Sequence, residues 1–363
     1  MDVADGLEGV VAAETVLSDV DGAAGRLILR GHSLDEIAGR WTFEDVVELL
    51  WSGFFPDLPV NIRSALGAAR MEVAREIAAL DPELAARPPI EAMRALTARL
   101  ADGDDLATAL RLTAAPAVFT AAAVRAQAGD PPVAPDPALS HAADILRMVR
   151  GREASAAEVA ALDAYLVTIC DHGFNASTFA ARVVASTRAG LGSAVLAGVS
   201  ALKGPLHGGA PGPVIDMLDA IGEPQNARTW LEAALDRGDR LMGFGHRVYR
   251  VRDPRADALK RAVKALGAGS NVLPGRLAFA EAVERAALDV LRERKPNRSL
   301  ETNVELYTAL LLEALAFPPA AFTCVFAMGR VAGWIAHARE QVAGGRLIRP
   351  ASRYVGPVPR AAA

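Results

Sequence analysis

Residues 242–255 read MGFGHRVYRVRDPR. His246 follows a Gly-Phe-Gly turn, and Arg247, Arg250, Arg252 and Arg255 crowd in behind it. On a chain of formal charge −4, a cationic segment with an imidazole inside it is built to meet an anion. Scattered arginines alone would read as a solvated basic helix end. The glycine turn, the histidine and the closing Asp253-Pro254-Arg255 favour the anion site. Helix-period segments flank the stretch at 226–237 and 255–267, and the same pattern runs outward in both directions.

At 363 residues the chain exceeds the usual size of one core, so two packed units are expected. Hydrophobic residues make up 52% and aromatics 5%, so alanine and the branched aliphatics must fill the interior, which suits close-packed helices. The charge balance gives no support for a nucleic-acid or anionic-membrane partner. The segment 320–338 is apolar enough to suggest a membrane span, but Gly329, Arg330 and Gly333 interrupt it, which reads instead as a buried helix. Cys170 and Cys324 lie in apolar runs without metal-ligand spacing, as buried free thiols of a reducing cytoplasm do. The acidic start MDVADGLEGV lacks the base and the apolar run of a signal peptide.

Short β-branched runs around Asp21-Gly22 and Gly25 read as a small hairpin or an irregular arm ahead of the helices. Ser33 with Glu36 makes a capping box, and Thr42 opens a helix. Helices are expected near 60–80, 90–101, 105–127, 139–150, 156–170, 174–190, 214–221, 277–294, 303–316 and 320–340, and the run 194–202 is almost wholly apolar. No heptads, repeats or strand–helix alternation occur. The fold class is all-α with a minor β decoration.

Three of the six histidines stand at glycine-rich or boundary positions: His172 in CDHGFNAST, His207 in GPLHGGAPG and His246. His32 and His141, among loop and cap residues, are expected to be solvated, and His337 to be hydrogen-bonded in the core. His207 precedes a helix start. Backbone N–H groups and the positive helix end there would keep its imidazole neutral, fit to stabilise an enolate, unless it merely ties down its turn. Cations beside His246 would lower its pKa too and orient a carboxylate next to it. No metal is expected: HxxxH and HExxH are absent, and arginines around His246 would repel a cation. Glu305, opening an apolar helix in NVELYTALLLEAL, is either a desolvated base or an acid favoured there by the helix dipole. Arg330, in the middle of a buried helix, needs a carboxylate from protein or substrate to face it. Arg349 and Arg353 add cations in an extended tail.

Taken in order, GPLHGGA, GFGHRVYRVRDPR, NVELYTALLL and FAMGRVAGWIAHARE with IRPASRYVG resemble the citrate synthase family, and GLEGVVAAETVLSDVDG looks like its bacterial N-terminus. The likeness runs nearly end to end. It implies a two-domain helical homodimer: a large domain from 1–210 and 303–363, and a small domain, 211–302, inserted between them. It also implies condensation of acetyl-CoA with oxaloacetate, then hydrolysis of citryl-CoA, with no cofactor. By the same resemblance His207 holds the thioester oxygen, while His246 polarises the ketone of oxaloacetate. His172, Arg255 and Arg330 bind that substrate, Arg349 reaches the partner subunit's site, and Arg250 contacts CoA phosphate. The family motif usually reads NVDFY, with aspartate as the base; here the position is Glu305. 2-Methylcitrate synthase, taking propionyl-CoA, is the alternative, and a protein of this fold with weakened catalysis is another.

Overall fold

The computed structural model describes residues 5–7, 9–209, 211–267 and 273–357. Of the hairpin and the irregular arm left open by the sequence, the hairpin forms. Strands β1 (Ser18–Asp21), β2 (Arg26–Leu29) and β3 (His32–Ser33) pair antiparallel in that order, with Ser18 opposite Leu29 and Leu29 opposite His32. Its turn is closed by Asp21, whose Oδ1 accepts the N–H groups of Ala23 and Ala24 at 3.0 and 2.9 Å.

Helices follow without interruption by further strands among the described residues. The first eight are α1 (Leu34–Ile37), α2 (Phe43–Trp51), α3 (Ile62–Val73), α4 (Pro82–Ala85), α5 (Pro89–Thr97), α6 (Leu106–Gln127), α7 (His141–Arg150) and α8 (Ala156–Ile169). The rest are α9 (Ala176–Ala185), α10 (Leu191–Leu202), α11 (Pro211–Ile221), α12 (Ala227–Asp236), α13 (Pro254–Gly267), α14 (Leu273–Arg294), α15 (Val304–Ala314) and α16 (Phe322–Gly344). The caps read from sequence form: Glu36 Oε2 accepts the Ser33 N–H at 2.7 Å, and Thr42 exchanges hydrogen bonds with Asp45. The helix expected over 174–190 stops at Ala185, because the chain turns through left-handed Arg188 (φ 61°) and Gly190 (φ 99°) before α10.

Helix α16 is the centre of the core, packed on α2, α6, α8, α9 and α10. Its two interior glycines have a steric purpose. A Cβ at Gly329 would lie 2.2 Å from Ile169 Cδ1, and one at Gly333 would lie 2.3 Å from the Cys170 carbonyl oxygen. A methyl there would force α16 away from the end of α8, an overpacking that costs roughly 1–3 kcal/mol. The glycines that break the membrane-like pattern therefore seat α16 against the loop carrying His172. Both α6 and α16 are long and apolar enough to cross a membrane, yet 78% of each apolar window is buried inside the fold, as core helices are.

Cys170 and Cys324 are free and buried. Burial holds both thiols protonated, Cys324 with its pKa pushed up to about 12. His337 is a core histidine as expected, 3.1 Å from Asp171 and 3.0 Å from Arg182. His141 is not solvated. Its ring is fully buried, stacked on Phe43 at 5.2 Å and 3.3 Å from Arg70 Nη1. Its sequence neighbours suggested a wet helix cap, but α2 and α3 close over that cap.

Candidate active site

The segment before His246 is fastened to the start of α15. Phe244 bridges Thr302 in antiparallel fashion, Gly245 N–H donates to the Glu301 carbonyl at 2.8 Å, and Asn303 N–H donates to the Gly243 carbonyl at 3.0 Å. This arrangement settles the tautomer of His246. Its Nδ1 accepts the N–H groups of Val248 and Tyr249, both at 3.1 Å, so the proton of the neutral ring sits on Nε2. Nε2 lies 3.3 Å from Arg255 Nη2. Two donors at that distance cannot bond each other, and an acceptor oxygen set against both would satisfy them. Arg255 is fixed by Asp253, whose carboxylate accepts from Nε at 3.1 Å and from Nη2 at 2.8 Å, with both side chains buried.

His172 joins the same wall. Its Nε2 is 3.1 Å from the Tyr249 hydroxyl, and its ring meets that of His246 edge-on at 5.6 Å. Arg330 approaches from α16. It is 1% exposed; its Nε donates to the Ile169 carbonyl at 2.6 Å, and its Nη2 is buried without a partner. No carboxylate forms an ion pair with it among the described residues. The charge of the buried Asp171 carboxylate acts on it without coming within ion-pair distance, which leaves room for a second, substrate carboxylate. The guanidinium lies 4.9 Å over the Phe326 ring, and on that ring His207 packs edge-on at 6.0 Å. His207 Nε2 is 2.8 Å from Ser177 Oγ, which accepts from Trp334 Nε1 at 3.1 Å and lies 2.8 Å from Asn175 Oδ1.

Burial sets the charge states of these groups. It pushes the His207 and His246 pKa values down to about 4, with Arg330 and Arg255 reinforcing it at His207 and Arg255 at His246. The neutral imidazoles expected from sequence are present, but the largest cause at His207 is burial, then the arginines, rather than a helix end. His172 is held well below the ordinary range by burial and Arg255. Glu305 is raised, by desolvation above all, against the lowering influence of Arg240 and of a 3.3 Å hydrogen bond from Asn303 Nδ2. Asn303 also caps α15, its Oδ1 accepting the Glu305 N–H at 3.0 Å. Burial therefore outweighs the neighbouring cations and hydrogen bonds at this helix start. Arg250 and Arg349 are exposed, outside the buried cluster, and neither forms an ion pair among the described residues.

A stability consequence follows. His141, His172, His207 and His246 all titrate below the 6.5 of free imidazole, so between pH 6.5 and 4 the unfolded chain binds protons that the folded chain refuses. Their contribution is intact above pH 6.5 and is lost as pH falls through that window. Asp163, pushed up to about 7 by burial, and Glu305, also raised by burial, act in the opposite direction but are outnumbered. Melting temperature should fall steeply with acidification over this range, and His207→Asn should flatten the slope. A constant melting temperature across the window would contradict the assignment.

A family model described as "Citrate synthase, C-terminal domain" matches residues 6–351. The chain belongs to the citrate synthase family. It is 40% identical to the citrate synthase of Haloferax volcanii over 370 residues, covering 97% of this chain and 95% of that one. It is 37% identical to a 2-methylcitrate synthase of Mycobacterium tuberculosis over 372 residues, covering 98% and 91%. Among solved structures it resembles the ternary complex of Thermoplasma acidophilum citrate synthase with carboxymethyl coenzyme A and oxaloacetate, with a TM-score of 0.86 and 28% identity over 99% of this chain and 97% of that chain. Citrate synthases are condensing acyltransferases, and this helical fold with its small sheet is theirs.

The residues that hold the site from behind carry no role in the sequence pattern alone. Tyr249 and Asp253 were in plain view within the opening stretch, and the closing Asp-Pro-Arg was a usable signal. Ser177, Asn175 and Trp334, which surround His207, come from two other helices and are joined to it only through space.

Proposed function

We propose that the chain is a Si-type citrate synthase, condensing acetyl-CoA with oxaloacetate through an enol or enolate and hydrolysing citryl-CoA to citrate and CoA. The observation that carries this reading is the pair of facing donors, His246 Nε2–H and Arg255 Nη2–H, beside the unpartnered Nη2 of buried Arg330. A keto diacid satisfies all three.

Oxaloacetate would be held by Arg255, Arg330 and His172, with Arg349 of the partner subunit completing the site in a homodimer. His246 Nε2–H points at its ketone, polarises it, and passes its proton to the new alkoxide. Glu305 takes the α-proton of the acetyl group; its raised pKa is that of a base matched to a weak carbon acid. His207 stabilises the enolate as a neutral donor. For Nδ1 to donate, Nε2 must accept, so the Ser177 hydroxyl turns its hydrogen from Asn175 to His207. Asn175 Oδ1 loses little, since it still accepts the N–H groups of Ser177 and Thr178 at 3.1 Å. Arg250, on the rim, would meet a CoA phosphate.

Residues 211–302 would form the small domain, closing on a large domain of 1–210 and 303–363. Closure excludes water and strengthens each charge contact. The chemistry is proton transfer, carbon–carbon bond formation and hydrolysis, for which we assign no cofactor or metal, and a cytoplasmic setting suits the two reduced thiols.

Release of free thiol from acetyl-CoA in the presence of oxaloacetate tests the reading, and no release above background would overturn it. The 2-methylcitrate synthase relative favours a second substrate, propionyl-CoA. One methylene is worth only about 1–3 kcal/mol in a pocket, so both thioesters should turn over, within about 10- to 200-fold of each other and with acetyl-CoA ahead. Faster turnover of propionyl-CoA would make 2-methylcitrate synthase the better name.

A further inference from the structure

The N-terminal hairpin touches both loops that line the site, from outside the catalytic cluster. Its base is anchored to the core. Leu17, Leu27 and Leu29 are buried, and Glu340 Oε1 on α16 accepts the Val16 N–H at 2.8 Å and the Thr15 hydroxyl at 3.2 Å. On one side, Ser18 Oγ in β1 accepts the N–H of Gly173 at 3.0 Å, next to His172. On the other, the β1–β2 turn reaches the segment after His246: the Gly22 carbonyl accepts the Arg250 N–H at 2.9 Å.

The fit at Gly22 is too close for any side chain. A Cβ there would lie 2.2 Å from the Val248 carbonyl oxygen and 2.7 Å from its carbon, both backbone atoms that cannot rotate aside. Gly22 does not adopt a left-handed φ, so contact alone, not conformation, requires the glycine. The peptide that a Cβ would displace matters to the chemistry. That peptide joins the Val248 carbonyl to the Tyr249 N–H, one of the two donors that fix the His246 tautomer, and Arg250 follows at once.

We infer that Gly22 and Ser18 are positioning residues, and that the hairpin is a strap setting the separation of the His172 loop from the His246–Arg250 segment. The inference rests on the reading that these loops hold oxaloacetate. With the strap in place, His246 Nε2–H and the His172 ring face one substrate from fixed positions. Without it, the His246 segment keeps its bonds to α15 but loses its register against His172.

The test uses the full chain with Gly22→Ala, Ser18→Ala and, as a control in the same turn, the exposed Ala24→Ser. Misplacing a reacting group by about 1 Å costs about 10²-fold. Gly22→Ala should therefore lower kcat/KM by roughly that factor, raise the KM for oxaloacetate, and weaken the oxaloacetate-induced rise in melting temperature. The ligand-free melting temperature should stay within a few degrees. Ser18→Ala, which removes a single oxygen, should raise the KM for oxaloacetate to a smaller degree, and Ala24→Ser should do nothing. Hydrogen exchange at the amides of residues 248–250 should quicken in Gly22→Ala. Wild-type kinetics in Gly22→Ala, or unchanged exchange at those amides, would overturn the strap. Failure of the unmodified protein to bind oxaloacetate would overturn the proposed function instead, and exchange would still decide the strap. Should Gly22→Ala fold poorly, Ser18→Ala with a native KM is the overturning result.

Discussion

Glu305→Gln should leave a folded protein that releases thiol about a thousandfold more slowly than the native one. Positioned general bases contribute typically 10²–10⁴-fold, and no other carboxylate stands at this helix start among the described residues to take over. The fold should survive. Glutamine keeps the shape of the side chain, can hydrogen-bond Asn303, and removes a charge that burial already disfavours. Glu305→Asp is the sharper comparison. Asn303 Nδ2 donates both to Glu305 Oε2 and, at 2.8 Å, to the Gly245 carbonyl, so the longer side chain is tied to the loop that carries His246. Aspartate would withdraw the carboxylate from that tie by about one carbon–carbon bond, and a loss of about 10²-fold is expected. A gain with aspartate would mean a site relaxed by the departure from the family's usual residue; full activity in Glu305→Gln would remove it from the role of base.

Arg330→Met should separate binding from stability. Truncating one side of a buried, hydrogen-bonded charge pair costs about 2–5 kcal/mol, so the KM for oxaloacetate should rise roughly 30-fold to several-thousand-fold. The free protein should scarcely notice. Burial already lowers the Arg330 pKa to about 10, and one of its nitrogens has no partner, so an apolar replacement of similar length relieves a desolvated charge. Against that, the Ile169 carbonyl loses its donor, at about 1–3 kcal/mol, and buried Asp171 loses one of its neighbouring cations but keeps His337. The two nearly cancel, and the melting temperature should shift by only a few degrees. A large drop in melting temperature with an unchanged KM would make Arg330 structural.

What could be read in advance was whatever is local in the chain. Helix periods, the caps at Ser33 and Thr42, and the turn at Asp21-Gly22 are decided within a few residues, and all appear where expected. Arg330 was legible because a charge inside an apolar run demands an explanation wherever the helix lies. His141 was misread because its cover, Phe43 and Arg70, comes from α2 and α3, far off in sequence. The neutrality of His207 was expected but attributed to a helix end; its largest cause is burial, a quantity no local window contains. The His246 tautomer was out of reach for a different reason, since it depends on the directions of two backbone N–H groups rather than on residue identity.

The two cysteines have a practical consequence. Both thiols are interior and held protonated, so a reagent that counts sulfhydryl groups is blind to the folded enzyme and registers released CoA alone. Once CoA is removed, the same reagent reports a different event: the chain's 2 cysteines react only in molecules that have opened far enough to expose α16 or the end of α8. The protein thus carries a built-in clock for its own unfolding, readable in the cuvette used for turnover.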